Sequence, residues 1–405
     1  MTGGGDITKR APLAGLRVLD IGTMIAGPVA ATLLADFGAE VIKVEQPDGG
    51  DPLRHIGPQV DGEGLYWQVE SRNKRSITVD LRKPEGQAIV RKLAAEVDVL
   101  VENFRPGTMA KWNLGYDRLS TANPRLVMLS ISGFGQTGPY SLRPAYDRIA
   151  LAFSGLLNMT GYADRPPVRP GNAMADYQAA ILGAFGVMTA LHRRDHATGI
   201  GEHIDLSLYE TIFRFTDVML TAYDKLGVDR QRQGNRHFAA APGDHYEMQD
   251  GKFVVLTVSN DQMFLRLARA MGQENLTTDP RFDTHAQRWS NIDKINGIVA
   301  DWVASNPPTK VLEELEHAGV AFSLVYQPED ILHDPHYVDR RSFVSIRHPR
   351  IGDLKIQAAH PKMANWKPDT PNHAPGLGAD TDAVLQGLLG MDETEISKLR
   401  ADGVL

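Results

Sequence analysis

The stretch Leu16-Arg-Val-Leu-Asp-Ile21, with Gly22-Thr-Met-Ile-Ala-Gly27-Pro28 and Ala39-Glu-Val-Ile-Lys-Val44 after it, decides the fold. The first and last pieces are short apolar runs of the kind that form buried strands. Between them, Pro28 suits the first turn of a helix that continues over 30–37. A strand, a helix and a second strand in this order predict a right-handed crossover in a parallel sheet.

The strand pattern returns in four later segments, Ser76–Leu81, Asp98–Glu102, Arg125–Ile131 and Glu202–Leu208. Two of these strands end in loops rich in glycine and proline, Asn103–Gly107 and Ser132–Pro139. Ligands in open α/β sheets bind at the carboxyl ends of the strands. We therefore expect a binding cleft at these loops, although the turn after the first strand lacks the three-glycine fingerprint of dinucleotide-binding proteins.

The segment Gly171-Asn-Ala-Met-Ala-Asp176-Tyr177 leads into an apolar run that reaches Leu191. Tyr177, Ile181, Ala184, Met188 and Leu191 recur at three- and four-residue steps, which predicts one helix face turned to the core. The same spacing puts Asp176 in the first helical turn. An aspartate there commonly caps free N–H groups, so its local sequence alone favours a structural role.

The chain is long enough for two domains, and its character changes after residue 225. We expect residues 1–225 to form a large Rossmann-like α/β domain, and Tyr209 to Leu226 to be one long helix. Residues 226–330 form a smaller αβ domain that begins with an irregular polar stretch and a hairpin turning at Asp250-Gly251. Residues 331–405 follow it with two predicted strands and two terminal helices.

Composition excludes several classes of protein. The 405 residues carry a formal net charge of −7 without acidic or basic blocks, which argues against a nucleic-acid partner. The absence of cysteine excludes disulfides and thiolate chemistry and favours the cytoplasm. Met1 to Arg10 lacks the apolar core of a signal peptide, and no apolar run approaches the roughly 20 residues of a membrane span, so no membrane association is expected.

The usual sequence motifs for metals and nucleophiles are missing. No HExxH, Gly-x-Ser-x-Gly or phosphate-loop motif occurs, and no metal is expected. The remaining candidates are carboxylates near loops, Asp147, Asp176, Asp244 and Asp261, and loop cations that would suit phosphates, Lys74, Arg75, Arg105 and Lys111. These residues predict a two-domain α/β enzyme with a carboxylate nucleophile and a cleft that accepts polyanions.

Seven motifs in order resemble those of the family III CoA-transferases, which include formyl-CoA transferase, L-carnitine CoA-transferase and α-methylacyl-CoA racemase. They cover nearly the whole chain: Pro12–Asp20 with Ala26-Gly-Pro28, Gly38–Glu45, Asn73-Lys-Arg-Ser76, Val101–Gly107, Asn123-Pro-Arg125, Ser132–Gln136 and Ala175-Asp-Tyr177.

The resemblance implies a large Rossmann-like domain with a parallel sheet, built from both chain ends so that residues 331–405 return to complete it. It also implies a smaller αβ domain and two subunits interlocked as a homodimer. It implies an acyl-CoA donor and a small carboxylic acid acceptor as partners. Asp176 would be the nucleophile, passing through a mixed anhydride and an aspartyl-CoA thioester, and backbone N–H groups would lower its pKa. The implied contacts to CoA are Met24, Ile25, Lys74, Asn103, Phe104, Lys111 and Tyr146.

Two positions depart from the racemases, which carry a histidine and a glutamate where this chain has Tyr146 and Asn260. Neither side chain is a good acid or base near neutral pH, which favours transfer over racemisation. Ile25 and Phe238–Pro242 depart from formyl-CoA transferase, which argues against formate and oxalate exchange. The Ala-Asp-Tyr and Pro-Ala-Tyr motifs resemble the carnitine-type branch most. The alternatives are a racemase or epimerase and a non-catalytic CoA-binding protein.

Overall fold

The computed structural model describes residues 10–405. The expectation for the segment Met1–Arg10 therefore lies outside the described residues, Arg10 excepted. The described chain divides into two compact units. The large unit comprises the residues up to Leu156, Arg169–Gly227 and Arg340–Leu405, and the small unit comprises Leu157–Val168 and Val228–Asp339.

A parallel six-stranded sheet forms the centre of the large unit, and all six strands lie within the first 207 residues. The strands of this part of the chain are β1 (Arg17–Asp20), β2 (Glu40–Glu45), the short pair β3 (Gln59–Val60) and β4 (Glu63–Gly64), β5 (Lys74–Thr78), β6 (Val99–Glu102), β7 (Val127–Ser132) and β8 (His203–Ser207). The sheet order β5-β2-β1-β6-β7-β8 is the 3-2-1-4-5-6 order of a doubly wound fold. The predicted parallel α/β sheet is confirmed.

Helices flank this sheet and connect its strands. They are α1 (Ala26–Ala35), α2 (Leu65–Glu70), α3 (Pro84–Ala95), α4 (Thr108–Lys111), α5 (Tyr116–Ala122), α6 (Asp147–Phe153), α7 (Met174–Arg193), α8 (Leu208–Phe213) and α9 (Met219–Leu226). The predicted single helix over 209–226 is wrong, because Asp217 adopts a left-handed backbone (φ 44°) that interrupts it between α8 and α9.

Helix α7 packs against α1 and β7, but the predicted core face is wrong. The buried face carries mostly small residues, Ala175, Ala179, Ala180, Gly183, Val187, Ala190 and Leu191. Ile181 and Met188 are exposed, and Phe185 on the same stripe is 69% exposed. A Cβ on Gly183 would lie 2.8 Å from Leu129, so the missing side chain lets the helix approach the sheet closely.

One helix of the described chain, counted over Met174–Thr198, reaches the length and composition of a membrane span, with a mean hydropathy of 1.2. The expectation that no segment approaches this size is therefore wrong. Burial of one face of this helix against α1 and β7 is an arrangement that core helices also show.

The small unit has its own core around a three-stranded antiparallel sheet of β9 (Gly243–Glu247), β10 (Phe253–Thr257) and β11 (Phe322–Leu324). The predicted hairpin corresponds to β9 and β10. Its helices are α10 (Asp261–Ala270), α11 (His285–Ser290), α12 (Ile292–Ser305), α13 (Pro308–Ala318), α14 (Pro328–His333) and α15 (Pro335–Asp339).

The C-terminal part of the chain returns to the large unit. It forms a hairpin of β12 (Phe343–His348) and β13 (Gly352–Gln357), then α16 (Thr381–Leu389) and α17 (Glu393–Ala401). Val384, Leu385 and Ile396 from these last two helices join the hydrophobic core beside the sheet. This end of the chain therefore covers the sheet with helices and adds no strand to it.

Candidate active site

A cavity of about 530 Å³ opens at the carboxyl ends of β1, β6 and β7 and lies entirely within the large unit. β1 and β6 are neighbours, and the chain winds outward from them in opposite directions along the sheet. This is the switch point at which doubly wound folds leave a crevice for ligands. The cavity is thus a candidate active site on topology alone.

Six of the eight predicted site residues line this cavity, Met24, Ile25, Asn103, Phe104, Tyr146 and Asp176. They come from the turn after β1, the loop after β6, the segment before α6 and the first turn of α7. Asp176, the predicted nucleophile, therefore lines the same cavity as the predicted CoA contacts.

The carboxylate of Asp176 is half-buried and accepts no hydrogen bond from the described residues. Burial, with the charge of Asp147 as the second cause, raises the pKa of Asp176 to about 7. The expectation that backbone N–H groups would lower this pKa is wrong. Because desolvation disfavours the charged form and no donor offsets it, the carboxylate is a stronger base than an ordinary aspartate.

Asp147 caps the helix instead of Asp176. Its Oδ1 accepts a 2.6 Å hydrogen bond from the N–H of Ala175, in the first turn of α7. Asp147 is buried at the first position of α6, so this bond joins the starts of two helices. The local sequence favoured the wrong aspartate for the capping role, and the bond leaves Asp176 available for chemistry.

Tyr177 also fixes the first turn of α7. Its hydroxyl donates a 2.6 Å hydrogen bond to Glu70 Oε1 and lies 3.2 Å from the hydroxyl of Tyr66. Burial raises the pKa of Tyr177, and the Glu70 carboxylate adds to this effect, so the phenol stays protonated as a donor. Two hydrogen bonds, one at Ala175 and one from Tyr177, therefore hold the helix start that carries Asp176.

The loops after β1 and β6 are joined by Asn103. Its Oδ1 accepts from the N–H of Thr23 and its Nδ2 donates to the Thr23 carbonyl, both at 2.8 Å. Next to it, the N–H of Phe104 donates to Glu102 at 2.8 Å, and the ring of Phe104 meets Trp112 edge-on at 5.1 Å. The amide of Asn103 therefore clamps two cavity loops together.

The two predicted lysines do not line the cavity. β5 begins two residues before its predicted start, so Lys74 is a strand residue with a fully buried side chain. Its Nζ lies 2.9 Å from Asp20 Oδ2 and donates to the carbonyl of Pro28 at 2.7 Å. Lys111 is exposed at the end of α4.

Arg105, Arg143 and Ser132 also line the cavity and add polar groups to it. Arg105 and Arg143 bring positive charge to it, and the Arg143 guanidinium stacks 3.6 Å from the Tyr140 ring centre. The buried hydroxyl of Ser132, at the end of β7, has no hydrogen-bond partner among the described residues. The sequence could have identified both Ser132 and Arg105, because Ser132 directly follows a predicted strand and Arg105 lies in the loop after another.

Asn260, in the small unit, has a structural role. It is the N-cap of α10, and its Oδ1 accepts from the N–H of Met263 at 2.9 Å. Asn260, expected from the resemblance to replace a racemase glutamate, is therefore a capping amide in this structure.

Residues 13–381 match the model of CoA-transferase family III. The chain is 40% identical to succinyl-CoA–D-citramalate CoA-transferase of Chloroflexus aurantiacus over 97% of this chain and 98% of that protein. It is 41% identical to the beta subunit of succinyl-CoA–L-malate CoA-transferase of the same organism, over 98% and 99% of the two chains.

Among solved structures, the fold is similar to a CaiB/BaiF family protein from Brucella suis, with a TM-score of 0.84 and 31% identity. The match covers 94% of this chain and all of that one. With a family model over most of the chain and relatives of this identity at nearly full length, the chain belongs to CoA-transferase family III and is a family III CoA-transferase.

Proposed function

We propose that the protein moves CoA from a dicarboxylic acyl-CoA thioester to a small dicarboxylic acid, with Asp176 as the nucleophile. The state of the Asp176 carboxylate supports its role as the nucleophile. It lines the cavity, has no hydrogen-bond partner among the described residues, and has its pKa raised to about 7 by burial. A carboxylate of this basicity is half ionised at neutral pH. Once ionised, it is a stronger nucleophile than one with an ordinary pKa.

In the first half-reaction, an ionised oxygen of Asp176 attacks the thioester carbonyl carbon. The C–S bond breaks, leaving a mixed anhydride on Asp176 and CoA as the thiolate. The thiolate then attacks the aspartyl carbonyl carbon. The anhydride C–O bond breaks, the donor acid leaves as its carboxylate, and Asp176 holds CoA as a thioester.

The second half-reaction reverses these steps with the acceptor. The acceptor carboxylate attacks the aspartyl thioester, and CoA leaves as the thiolate from a new mixed anhydride. Attack of the thiolate on the acceptor's carbonyl carbon gives the new acyl-CoA and restores the Asp176 carboxylate. No proton is consumed overall, so the site needs charge stabilisation more than a general acid.

The donor for the developing oxyanion is proposed to be Ser132. The N–H of Ala175 is occupied by Asp147, so it cannot take the part expected of the helix N-terminus. The hydroxyl of Ser132 lines the same cavity as Asp176 and lacks a partner among residues 10–405. A polar group of this kind gains a hydrogen bond when a substrate carbonyl arrives.

Acyl-CoA is a substrate in this proposal, and the cavity offers groups that suit it. Arg105 and Arg143 would pair with its phosphates through charge-assisted hydrogen bonds. Met24, Ile25 and Phe104 supply apolar walls. Lys111 remains a proposed phosphate contact from outside the cavity lining.

The proposed acceptor class follows from the relatives, which are named for transfer from succinyl-CoA to D-citramalate and to L-malate. These acceptors carry two carboxylates, in contrast to the carnitine-type branch expected from the motifs. Racemisation is disfavoured because Asn260 is used as a helix cap and a tyrosine phenol is a weak acid near neutral pH.

The test is exchange between succinyl-CoA and a panel of mono- and dicarboxylic acids, followed by chromatography of the CoA thioesters. We expect a new thioester with dicarboxylates, and none with Asp176→Ala. Intact-protein mass after succinyl-CoA alone should show a CoA adduct on the wild type. Turnover in Asp176→Ala would refute the nucleophile, and deuterium exchange at the α-carbon without an acceptor would favour the racemase.

We also propose that the protein is a homodimer, interlocked as the family resemblance implies. Support comes from large apolar side chains left on the surface of α7, α8 and α9, including Phe185 at 69%, Leu226 at 75% and Tyr223 at 62% exposure. Large apolar side chains exposed on three helices that follow one another in the chain favour an interaction site.

A further inference from the structure

The turn between β1 and α1 has an unusual means of support. Three consecutive N–H groups donate to side chains: Gly22 to Asp20 at 3.1 Å, Thr23 to Asn103 at 2.8 Å and Met24 to Asp51 at 3.0 Å. Met24 has a left-handed backbone (φ 64°), which is unfavourable for a residue with a side chain. This turn needs support from its surroundings to keep its shape.

Two buried lysines supply that support. The Nζ of Lys43 donates to the carbonyl of Gly22 and lies 3.1 Å from Asp51 and 3.6 Å from Asp20. The Nζ of Lys74 lies 2.9 Å from Asp20 and donates to the carbonyl of Pro28 at 2.7 Å. The lysines therefore hold both ends of the turn, one carbonyl each.

The four charged groups form one cluster, which we call the buried quartet: Asp20, Lys43, Asp51 and Lys74. Each side chain is at most 1% exposed, and two positive charges balance two negative ones. Burial of charge is tolerated only when each group is paired. Every member also contacts the main chain of the turn, and the turn contributes Thr23, Met24 and Ile25 to the cavity wall.

We propose that Lys74, acting through the buried quartet, is a positioning residue that shapes the turn Gly22–Pro28 for the acyl-CoA substrate, and does not itself contact the phosphates. The inference rests on the proposed function, because the turn matters only if the cavity binds CoA. It assigns Lys74 a role that its place in a basic motif does not reveal.

The role of Lys74 is tested by restoring charge balance. Lys74→Met keeps the side-chain length but leaves Asp20 and Asp51 facing Lys43 alone. Asp20→Asn combined with Lys74→Met leaves one ammonium and one carboxylate, and the asparagine Oδ1 still accepts from Gly22. A positioning role predicts recovery in the double variant. If Lys74 instead bound a phosphate directly, a change at Asp20 could not restore the affinity.

The measurement is the Kd of CoA by calorimetry on the full-length protein, at two salt concentrations. We expect Lys74→Met to weaken binding by about tenfold and the double variant to return within about threefold of wild type. The salt dependence of Kd should stay unchanged in Lys74→Met and weaken in Lys111→Ala, a matched removal of an exposed cation. In turnover, the KM for succinyl-CoA should rise more than kcat falls.

Each outcome has a distinct meaning. Unchanged CoA affinity in Lys74→Met overturns the positioning role. Equal weakening in the single and double variants, with a weaker salt dependence, identifies direct binding of phosphate by Lys74 and also overturns it. If Lys74→Met does not fold, the double variant carries the test, and failure of that variant to bind counts against the inference. Absence of CoA binding by the wild type removes the proposed function itself.

Discussion

Replacing Asp176 with asparagine should raise the free energy of unfolding at neutral and alkaline pH. Burial raises the pKa of this carboxyl from its ordinary 3.8 to about 7, so the folded state binds the proton more tightly than the unfolded state. Folding stability is therefore lost as pH rises from about 4 to about 7. Asparagine has a similar volume and no charge, so the variant avoids this loss.

The magnitude follows from the size of the pKa shift. Raising the pKa from 3.8 to about 7, at about 1.36 kcal/mol for each tenfold change in proton affinity, gives a gain for Asp176→Asn of about 4 kcal/mol at pH 8, as an upper bound. At pH 5 the same shift gives a gain of about 2 kcal/mol, because only part of the titration has been passed. The difference between the two pH values is the quantity to measure.

The assay is urea unfolding of wild type and variant at pH 5 and pH 8, at equal protein concentration, followed by tryptophan fluorescence. Asp80→Asn is the matched control, since the hydrogen-bonded Arg82 side chain lowers the pKa of Asp80. Its removal should destabilise the protein by the same amount at pH 5 and pH 8, because both values lie above the ordinary pKa of 3.8, whereas Asp176→Asn stabilises the protein and does so more at pH 8. If the difference in free energy of unfolding between Asp176→Asn and wild type is the same at pH 5 and pH 8, the raised pKa is refuted.

Further predictions concern catalysis, folding and assembly. In a pH-rate profile, the kcat/KM of the wild type should fall about tenfold per pH unit below pH 6 as Asp176 becomes protonated. Asp147→Asn keeps a capping acceptor but loses the charge, so the fall in kcat/KM should begin at a lower pH. Ser132→Ala should lower kcat by about 100-fold with little change in KM, and an equal rate in steady-state assays would exclude an oxyanion role. Asn260→Ala should cost about 1 kcal/mol in the free energy of unfolding without altering kcat, and loss of turnover in a folded variant would contradict its capping role. Phe185→Glu should shift the protein toward monomer by light scattering, whereas an unchanged mass would exclude α7 from the interface.

The sequence predicted the parallel sheet and the start of α7, because apolar periodicity follows local chemistry. The site residues were expected from the family resemblance, and six of the eight line the cavity. The sequence did not predict which face of α7 is buried. Apolar periodicity marks side chains that avoid water, and it does not distinguish a core face from a surface face. Ile181 and Met188 satisfy the period and are exposed, while the buried face relies on alanines and Gly183.

Two charged residues were misplaced for a different reason. The sequence spacing did not show that Asp147, far from α7 in sequence, would reach Ala175 and take over the cap. Nor did residue type show that Lys74 begins a strand and turns inward toward Asp20. Both outcomes depend on pairing between distant segments, which a single sequence without its fold does not display.

The buried quartet also has a consequence for how this protein varies over evolutionary time. Loss of Lys74 or Asp20 alone leaves an unbalanced charge inside the protein, so a first substitution at either position is selected against. Replacing both residues together keeps the buried charges balanced. We therefore expect these two positions to covary among homologues, with both charges kept or both replaced together.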